Sequence, residues 1–408
     1  MDTSASVRWG AWFDEQDYPL DFPDGWDVRT FAPAGGADIG DDAIAAALRE
    51  PIGTPPLSEL ARGKRRPCIV IDDLSRPTPA HRLIPPVLRE LATAGIEPED
   101  VLILAGVANH RQMMRDDFIK KCGADVVRRC QTKNHFSWDN CVYVGTTRSG
   151  IPVSLNADFM ESDMRILIGS IVPHSVAGFA GGGKLVLPGV ASIDTATAFH
   201  GPTGPATGLD TVPPARLAVE EAAMMAGVDC ILNVIPNPER GIAGLVVGHV
   251  VEAHRRGMER ARQVFSTQTP KNVDICVLSP YPKDNEFLQY GLAFSVWDSA
   301  SAPITHEGGT VVIACASSEG VGFHSLAGPA MRLPMPTDMR ARVRPRDLIA
   351  FAPGVNAGDV PAAASGDIVH TQTWVEARDW LARKHGRSAR VAVFPSAAIQ
   401  LGGEVVAW

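Results

Sequence analysis

The sequence predicts an α/β protein with parallel-type sheets, and three observations lead to that prediction. Short apolar segments rich in β-branched residues recur along the chain, each ending in glycine, aspartate or proline. Amphipathic segments of helical length stand between several of them. The chain has 408 residues, more than one ordinary core accommodates, so we predict two α/β domains with an active-site cleft between them.

Three segments in the first half of the chain predict strands of one parallel sheet. A strand, a helix and a second strand follow one another at the spacing of a βαβ unit. The helix HRLIPPVLRELATAG places its leucines on one face, and Gly95 ends it. Two further helices are predicted over 213–227 and 253–265. The three strands are PCIVIDD (67–73), DVLILAG (100–106) and MRILIGS (164–170).

A second group of elements predicts another α/β domain beyond a linker. TQTPKNVD (267–274) is polar and contains proline, which is typical of a linker. We therefore expect a cofactor-binding and catalytic domain over 1–270 and a substrate-binding domain over 271–408. The elements of this second group are strands over 273–280, 310–317, 347–353 and 389–395, and a helix over 373–386.

Charge and composition restrict the class of partner. The net charge of −8 argues against nucleic acid, which favours a basic surface. The N-terminus has no basic start followed by an apolar stretch, and we find no apolar run long enough to span a bilayer. The seven cysteines are dispersed without a CxxC pair, so we expect reduced thiols and a cytoplasmic location.

Polar residues follow the first predicted strand in DDLSRPTP (72–79). Asp73, Ser75 and Arg76 supply an acceptor, a hydroxyl and a cation, and the prolines stiffen the turn that presents them. An arginine held in this way suits a phosphate or a carboxylate. The alternative is a structural turn with a local Asp–Arg pair.

A histidine follows the second predicted strand in ANHRQM (108–113). Histidine titrates near neutrality, so His110 is a candidate general base, and Arg111 beside it is a candidate anion ligand. A hydrogen-bonded structural histidine and a solvated arginine are the alternatives. Because ligands bind beyond the carboxyl ends of parallel strands, we expect the polar groups after all three strands to converge on one crevice.

The third strand leads to a glycine-rich loop with one lysine. GFAGGGK (178–184) fits the phosphate-loop pattern, but Leu185 stands where a magnesium-binding Ser or Thr would be. Lys184 is instead a candidate nucleophile, because desolvation lowers the pKa of an amine. His174 precedes it and His200 follows it, and imidazole ligates nickel, copper, zinc or iron. No second ligand stands at a typical spacing from His200, whereas a metal held mainly by a bound cofactor needs only one protein ligand.

The combination of DDLSRPTP, NHR and PHSVAGFAGGGKLVLPG with a later histidine resembles the nickel-pincer-nucleotide racemases and epimerases of the lactate racemase family. The resemblance covers most of the chain. It implies a pyridinium mononucleotide whose two sulfur arms and ring carbon hold nickel. It also implies that Lys184 is joined to one arm and that His200 completes a square-planar nickel site. The segment that matches the family's nucleotide-binding residues is Asp73, Leu74, Ser75 and Arg76.

The reaction implied by the resemblance is inversion at a hydroxyl-bearing carbon. His110 and His174 match the two catalytic histidines, one of which takes the hydroxyl proton while a hydride moves from the carbon to the cofactor. The planar ketone then receives the hydride on its other face. Two bases suit this reaction because the two stereoisomers offer the hydroxyl proton on opposite sides. The resemblance further implies maturation by cofactor-biosynthesis proteins, without which the protein would be inactive.

One departure from the family pattern concerns the substrate. Gln289 matches a glutamine that binds the substrate carboxylate in lactate-specific members, but Leu292 stands where a lysine is expected three residues later. We therefore predict a substrate other than lactate: another 2-hydroxy acid, a sugar acid, or a neutral polyol or sugar. Aromatic residues recur here at helical spacing, which indicates either a core-facing stripe or a larger pocket. The candidate substrate residues are Gln289, Arg111, Tyr290 and Trp297, with Lys283 as a further carboxylate ligand.

Two alternatives stand beside a racemase. A zinc-dependent hydrolase would use His110, His174 and His200 as ligands and would need no modified lysine. A cofactor-binding or delivery protein would keep the tether at Lys184 without turning over a substrate.

Overall fold

The computed structural model describes residues 3–200, 207–208, 212–326, 331–332 and 337–408. The chain forms two compact units. One contains Gly36–Val264, and the other contains Met1–Gly35 together with Phe265–Trp408. Each unit is built on a six-stranded sheet with helices, so the predicted α/β class is confirmed.

The strands include those of the two large sheets and several short pairs. In chain order they are β1 (Ser4–Trp9), β2 (Gln16–Asp21), β3 (Asp27–Thr30), β4 (Pro67–Ile71), β5 (Leu102–Ala105), β6 (Gln131–Asn134), β7 (Cys141–Thr146), β8 (Pro152–Asn156), β9 (Met164–Ser170), β10 (Pro173–His174), β11 (Gly178–Phe179), β12 (Cys230–Pro236), β13 (Ile242–Gly248), β14 (Ser266–Pro270), β15 (Val273–Leu278), β16 (Thr305–Ala314), β17 (Thr337–Asp338), β18 (Asp347–Phe351), β19 (Ala364–Ser365), β20 (Ile368–Thr371), β21 (Arg390–Phe394) and β22 (Leu401–Val406).

The helices range from single turns to fourteen residues. They are α1 (Gly40–Arg49), α2 (Leu57–Leu60), α3 (Ala80–Ala92), α4 (Arg115–Cys122), α5 (Ala124–Arg129), α6 (Ala157–Glu161), α7 (Ile193–Phe199), α8 (Pro214–Met225), α9 (Glu252–Phe265), α10 (Ser295–Ser299), α11 (Met339–Val343), α12 (Val360–Ala363) and α13 (Trp374–His385), with 3₁₀ turns over Pro98–Asp100, Gly182–Leu185, Phe287–Phe294 and Ala397–Ile399.

The sheet of the Gly36–Val264 unit has the strand order β13-β12-β9-β4-β5-β6. All its pairs are parallel except the edge pair of β12 and β13. β4 is buried along its whole length, as expected of a parallel strand covered on both faces. The strands predicted at 67–73, 100–106 and 164–170 are therefore confirmed as β4, β5 and β9, and they are neighbours in one sheet.

The sheet of the other unit has the strand order β20-β18-β16-β15-β21-β3 and is entirely parallel. Alternate residues of β15 pack into two different apolar cores, one on each face: Cys276 and Leu278 into one, Ile275 and Val277 into the other. The helix predicted over 373–386 is α13, which Thr373 caps through its hydroxyl.

The division of the chain differs from the prediction in its first 35 residues. We placed residues 1–270 in one domain, but β3 pairs with β21 near the C-terminus, and the hairpin of β1 and β2 packs apolar side chains into the same unit. Pairing between residues so far apart in sequence leaves no local signal. The chain returns from the Gly36–Val264 unit to the other unit after Val264, close to the predicted boundary at residue 270.

The segment predicted as a linker is partly a strand. β14 runs in parallel beside β22, with its two threonines buried. Threonine is β-branched and fits a strand, whereas the proline and the polar composition of this segment are typical of a linker. The local sequence therefore supports both structures. Similarly, HEGG (306–309) has the polar, glycine-rich composition of a loop but lies within β16, next to an irregularity in its register with β15.

Candidate active site

The segments that follow β4, β5 and β9 meet at one edge of the Gly36–Val264 sheet. The backbone N–H of Gly106 donates to the carbonyl of Ile71 at 2.8 Å, and that of Ala108 donates to the carbonyl of Gly189 at 2.9 Å. The second bond joins the loop that carries His110 to the turn beyond Lys184. The structure thus brings the three segments together as the strand order predicts.

His110 is oriented by the segment that follows β4. Its Nδ1 lies 2.8 Å from Oδ2 of Asp73 and 3.1 Å from Oγ of Ser75. The Ser75 hydroxyl itself donates to Oδ1 of Asp73. Since a carboxylate only accepts, Nδ1 of His110 carries the hydrogen and Nε2 carries the lone pair. Both contacts use the same ring nitrogen, so the three residues do not form a Ser-His-Asp triad, which needs one partner on each nitrogen.

Asp73 is buried and charged. Burial raises its pKa, but the neighbouring His110 and Arg76 and the hydrogen bond from Ser75 outweigh burial, and the pKa ends below its ordinary value. Arg76 turns back on the same segment and donates from Nη1 to the carbonyl of Ser75 at 2.9 Å and to its Oγ at 2.8 Å. Leu74, between them, is a buried apolar side chain.

A buried lysine from α4 holds this segment in place. Lys121 forms an ion pair with Asp72 at 2.6 Å, and it donates to the carbonyls of Asp73 at 2.8 Å and Arg76 at 3.0 Å. Burial lowers the pKa of Lys121 and raises that of Asp72. The three oxygen partners match the three donors of an ammonium, so we describe the pair as charged. Sequence reasoning missed this role because a lysine in a helix usually faces solvent.

Lys184 lies on a 3₁₀ turn whose approach needs glycine. Gly181 and Gly182 have φ of +79° and +58°, a region that side chains disfavour. The Lys184 Nζ lies 4.7 Å from the centre of the Phe199 ring. Burial, then the positive charges of Arg216 and Arg76, lower its pKa well below the ordinary value. The lowered pKa favours the uncharged form of the amine, which is the nucleophilic one.

The loop does not present its backbone N–H groups as a phosphate loop does. The N–H of Gly182 donates to Oδ1 of Asn233, and that of Lys184 donates to the carbonyl of Gly181 at 3.2 Å. A phosphate loop instead directs such donors at its ligand. The geometry agrees with the sequence-based rejection of a nucleotide hydrolase.

His200 ends α7 with one nitrogen occupied. Its Nδ1 lies 2.8 Å from the carbonyl of Ala196, so Nδ1 carries the hydrogen and Nε2 the lone pair. Burial, then the charge of Lys184, lower its pKa to about 4. A neutral imidazole with an available lone pair is the form that binds a transition metal. The Phe199 ring, against which the Lys184 amine lies, has its centre 4.9 Å from that of the His200 ring, so the lysine and the histidine are close together.

His174 lies in the hairpin of β10 and β11, which leads into the glycine loop. Its Nδ1 accepts the backbone N–H of Val176 at 3.1 Å and that of Ala177 at 3.3 Å. Nδ1 therefore carries the lone pair and Nε2 the hydrogen, the opposite tautomer to that of His110. The two histidines are not equivalent in this structure.

No group of three His, Cys, Asp or Glu side chains that could hold a metal ion occurs among the described residues. A zinc hydrolase built on His110, His174 and His200 has no support from this arrangement. His200 fits instead as a single protein ligand to a metal that a cofactor holds.

The candidate substrate residues of the second half lie in the other unit. Tyr290 is almost fully buried and stacks on Phe287 at 4.5 Å, and the guanidinium of Arg346 covers Trp297 at 5.4 Å. Gln289 donates to Glu286 at 2.8 Å. Tyr290 and Trp297 thus belong to the apolar core of this unit or to its border, in line with the core-stripe interpretation.

The two candidate cations for a carboxylate are both held by their own surroundings. Arg111 forms an ion pair with Asp117 at 2.6 Å and donates to the carbonyl of Gln112 at 2.9 Å. Lys283 is buried in the other unit, in a segment that also carries Asp284 and Glu286. Leu292, at the position of the expected lysine, is part of the 3₁₀ turn Phe287–Phe294.

Three side chains that position the glycine loop were not found from the sequence: Asn233, Arg216 and His254. Asn233 interrupts the apolar strand CILNVIP, and a polar residue in a buried strand is a signal that could have identified it. Arg216 and His254 lie on helices whose pattern gives no comparable indication.

Comparison with known proteins gives a consistent result. The family model described as the lactate racemase N-terminal domain matches residues 13–206. The chain is 31% identical over 296 residues to a lactate racemase from Thermoanaerobacterium thermosaccharolyticum, covering 69% of this chain and 67% of that one. It is 30% identical over 304 residues to a lactate racemase from Lactiplantibacillus plantarum, covering 70% and 69% of the two chains.

Solved structures support the fold. The lactate racemase apoprotein from Thermoanaerobacterium thermosaccharolyticum superposes with a TM-score of 0.76 at 23% identity, covering 98% of this chain and 100% of that one. A protein from Thermotoga maritima superposes with a TM-score of 0.65 at 17% identity, covering 91% and 100%. Among the described residues, no helix has the length and apolar character needed to cross a membrane.

Proposed function

The chain belongs to the lactate racemase family, and from that premise we propose that it is a nickel-pincer-nucleotide-dependent racemase or epimerase. It inverts a hydroxyl-bearing carbon in a small substrate. The observation that carries the proposal is the position of Arg76, His110 and Lys184 on the three segments that meet at one edge of one sheet, with His200 beside the Phe199 ring that Lys184 contacts. These residue types are the ones that a tethered nickel cofactor and a proton-transfer step require.

The residues at this edge fit the cofactor. An uncharged amine is needed for a covalent tether, and the lowered pKa of Lys184 favours that form. The lone pair on Nε2 of His200 suits nickel. The segment Asp73–Arg76 carries a guanidinium suited to the nucleotide phosphate. When bound, the cofactor would supply the hydride acceptor that inversion at a hydroxyl-bearing carbon requires.

His110 is the proton acceptor for one stereoisomer. Asp73 holds the hydrogen on Nδ1, so the lone pair that accepts the hydroxyl proton is on Nε2. After the transfer, the imidazolium lies against a carboxylate, which stabilises its charge. Asp73 therefore acts through His110 as a positioning residue, in addition to its place in the nucleotide-binding segment.

His174 is the second proton-transfer group, and it needs a change of hydrogen bonding to act. Its Nε2–H is suited to bond a substrate oxygen in the resting tautomer. To exchange a proton through Nε2 as an acid or as a base, the ring must carry a hydrogen on Nδ1. The backbone donors of Val176 and Ala177 occupy that nitrogen. We therefore expect the hairpin of β10 and β11 to open these two bonds during turnover.

The substrate that we propose is not lactate. Leu292 replaces the expected lysine, and Arg111 is already paired with Asp117. The segment with Lys283 also carries the carboxylates of Asp284 and Glu286, which disfavour a second anion. These observations all weaken binding through a carboxylate, so a neutral polyol or sugar fits these surroundings best. A sugar acid or another 2-hydroxy acid fits where its additional polar groups supply the binding that lactate lacks.

The decisive experiment compares protein made with and without the family's cofactor-building proteins, which we propose as its maturation partners. We expect a mass increment on the peptide that contains Lys184, bound nickel, and inversion of at least one compound in a panel of 2-hydroxy acids, sugar acids and polyols in deuterated water. Because the hydride stays within the site, the carbon-bound hydrogen should remain largely unexchanged. Lys184→Ala is the control that should lose the increment.

Each contrary outcome has a distinct meaning. Full activity of protein without nickel would contradict the proposal. A mass increment without inversion of any compound would leave a cofactor-binding protein. Faster inversion of lactate than of every other compound would overturn the proposed substrate class alone.

A further inference from the structure

The carbonyls of the glycine loop are bound by buried side chains of two helices. Arg216 of α8 donates from Nη1 to the carbonyl of Gly181 at 3.0 Å and from Nη2 to the carbonyl of Phe179. His254 of α9 lies with Nε2 2.9 Å from the carbonyl of Ala180. Three consecutive carbonyls, immediately before the turn that carries Lys184, thus have side-chain donors.

These donors lie where the fold alone would favour apolar residues. Arg216 and His254 are each about 1% exposed. Burial lowers the pKa of Arg216 to about 10, with Glu220 opposing the shift, so the guanidinium keeps its charge at neutral pH. Burial, then the charge of Arg216, lower the pKa of His254 well below its ordinary value, so that ring is neutral. Burying such groups is unfavourable unless their hydrogen bonds are made. The loop carbonyls bind Nη1 and Nη2 of Arg216 and Nε2 of His254, whereas Nε of Arg216 and Nδ1 of His254 have no hydrogen-bond partner among the described residues.

The glycines allow the loop to press against these helices. A Cβ on Gly182 would lie 2.9 Å from the His254 ring, and one on Gly183 would lie 2.7 Å from the Cβ of Ala223. The loop is therefore fixed against α8 and α9 both by hydrogen bonds and by close contact. A lysine that follows such a segment has a defined backbone position.

We propose that Arg216 and His254 are positioning residues for the cofactor tether, which hold residues 179–181 so that the Lys184 amine meets the group to which it is joined. This inference rests on the proposed function, because it concerns the same lysine. The helices α8 and α9, which lie outside the sheet edge, thereby contribute to attachment of the cofactor during maturation. Neither residue needs to touch the reacting atoms.

The experiment measures the fraction of Lys184 peptide that carries the mass increment after production with the cofactor-building proteins. We expect Arg216→Met to lower that fraction about tenfold or more, since two hydrogen bonds from a charged donor to the loop carbonyls are lost. Arg216→Lys should recover part of it by restoring one donor. His254→Leu should lower it, and His254→Gln, which keeps an N–H donor, should lower it less.

Arg255→Met is the matched control. Arg255 pairs with the buried Glu220 at 2.8 Å, as part of the same polar group, but it donates to no loop carbonyl in the described contacts. We expect the fraction of Lys184 peptide with the mass increment to be the same in Arg255→Met as in the parent protein. The thermal unfolding midpoint of each variant shows whether a lower fraction comes from lost stability of the fold or from lost positioning of the loop. If Arg216→Met does not fold, the comparison of His254→Leu with His254→Gln decides.

The outcomes separate this inference from the proposed function. Absence of the increment in the parent protein would overturn both. A normal increment in the parent and in folded Arg216→Met and His254→Leu would overturn the positioning role only. Equal losses in Arg255→Met and Arg216→Met would also overturn it, because a general change in the helices would then explain the effect.

Discussion

The two units share an architecture but differ in what occupies the carboxyl ends of their strands. In the Gly36–Val264 unit this edge carries Asp73, whose carboxylate contacts His110, and Lys184, whose amine lies against the Phe199 ring. In the other unit the carboxylate of Asp284, beyond β15, accepts the backbone N–H of Gly10 at 2.8 Å and that of Ala11 at 3.2 Å. The chain itself fills the second edge with its N-terminal segment.

The difference shows that the carboxyl end of a parallel sheet does not form a binding site by itself. What matters is whether the polar side chains there orient a reactive group or bind another segment of the same chain. The edge that follows β4 and β5 uses side chains to orient a histidine, which then presents a lone pair. The edge that follows β15 uses backbone donors to satisfy a carboxylate, and Ser279 donates to the carbonyl of Arg8 at 3.0 Å. The first arrangement suits proton transfer, and the second suits stability.

The largest effect that we predict is on turnover in the first unit. Asp73→Asn should lower the rate of inversion by about 10²- to 10⁴-fold, because the amide can donate to Nδ1 of His110 and favour the wrong tautomer. Initial rates of loaded protein, with the Lys184 increment verified, provide the measurement. Asp284→Asn is the control from the other unit and should leave the rate unchanged. A variant Asp73→Asn with more than half the parent rate would contradict the role of this pair, and loss of the increment would instead assign Asp73 to cofactor binding.

The next effect is on stability at the same edge. Lys121→Met should lower the free energy of unfolding by about 3–5 kcal/mol, since it leaves Asp72 as a buried charge without its cation. Urea unfolding followed by circular dichroism measures the change. Adding Asp72→Asn to Lys121→Met should restore much of the loss. Lys133→Met, which breaks an exposed pair with Asp158 at 2.6 Å, should cost less than about 1 kcal/mol. Equal costs for the two lysines would contradict the description of a buried charged pair.

The smallest effect is a pH dependence of the second unit. Burial raises the pKa of Asp284 from 3.8 to about 6 in the folded protein. Between these values the unfolded carboxyl has lost its proton and the folded one keeps it, so stability falls as the pH rises through this window. The loss is of order 3 kcal/mol. Asp284→Asn should remove this dependence, and its stability relative to the parent should be greater at pH 8 than at pH 4.

Tryptophan fluorescence measures this effect selectively. Seven of the eight tryptophans belong to the unit that contains Asp284, and only Trp138 lies in the other. The urea unfolding midpoints of the parent and of Asp284→Asn, measured by fluorescence, should therefore converge at low pH and separate at high pH. Parallel profiles for the parent and for Asp284→Asn would show that this carboxyl titrates near its ordinary value.

Local patterns allowed much of the fold and of the site to be predicted. The strands β4, β5 and β9 were identified from their apolar composition, and their parallel order implied that the polar segments after them would meet. The glycine loop and its lysine followed from spacing. The orientation of His110 by Asp73 could not be predicted, because the choice between a local Asp–Arg turn and a contact with the next strand depends on tertiary geometry.

Other features depended on contacts between distant parts of the chain. Lys121 is recognisable as a structural residue only when the carbonyls of Asp73 and Arg76 lie beside it. The strand β14 is stabilised by β22, more than a hundred residues later. Arg216 and His254 become meaningful only once the glycine loop lies against α8 and α9. Sequence periodicity carries no information about such partners.

The pairing of β3 with β21 has a consequence for how the protein is made. Val28 aligns with Val391, so the N-terminal strand leaves the ribosome about 360 residues before its neighbour exists. At ordinary rates of translation that interval is roughly 20 to 70 seconds. The body formed by Gly36–Val264 can complete its own sheet during that time. The first hairpin, with Val7, Trp9 and Leu20 destined for burial, has to wait for the end of synthesis, and in that interval the nascent chain is most exposed to aggregation and most in need of a chaperone.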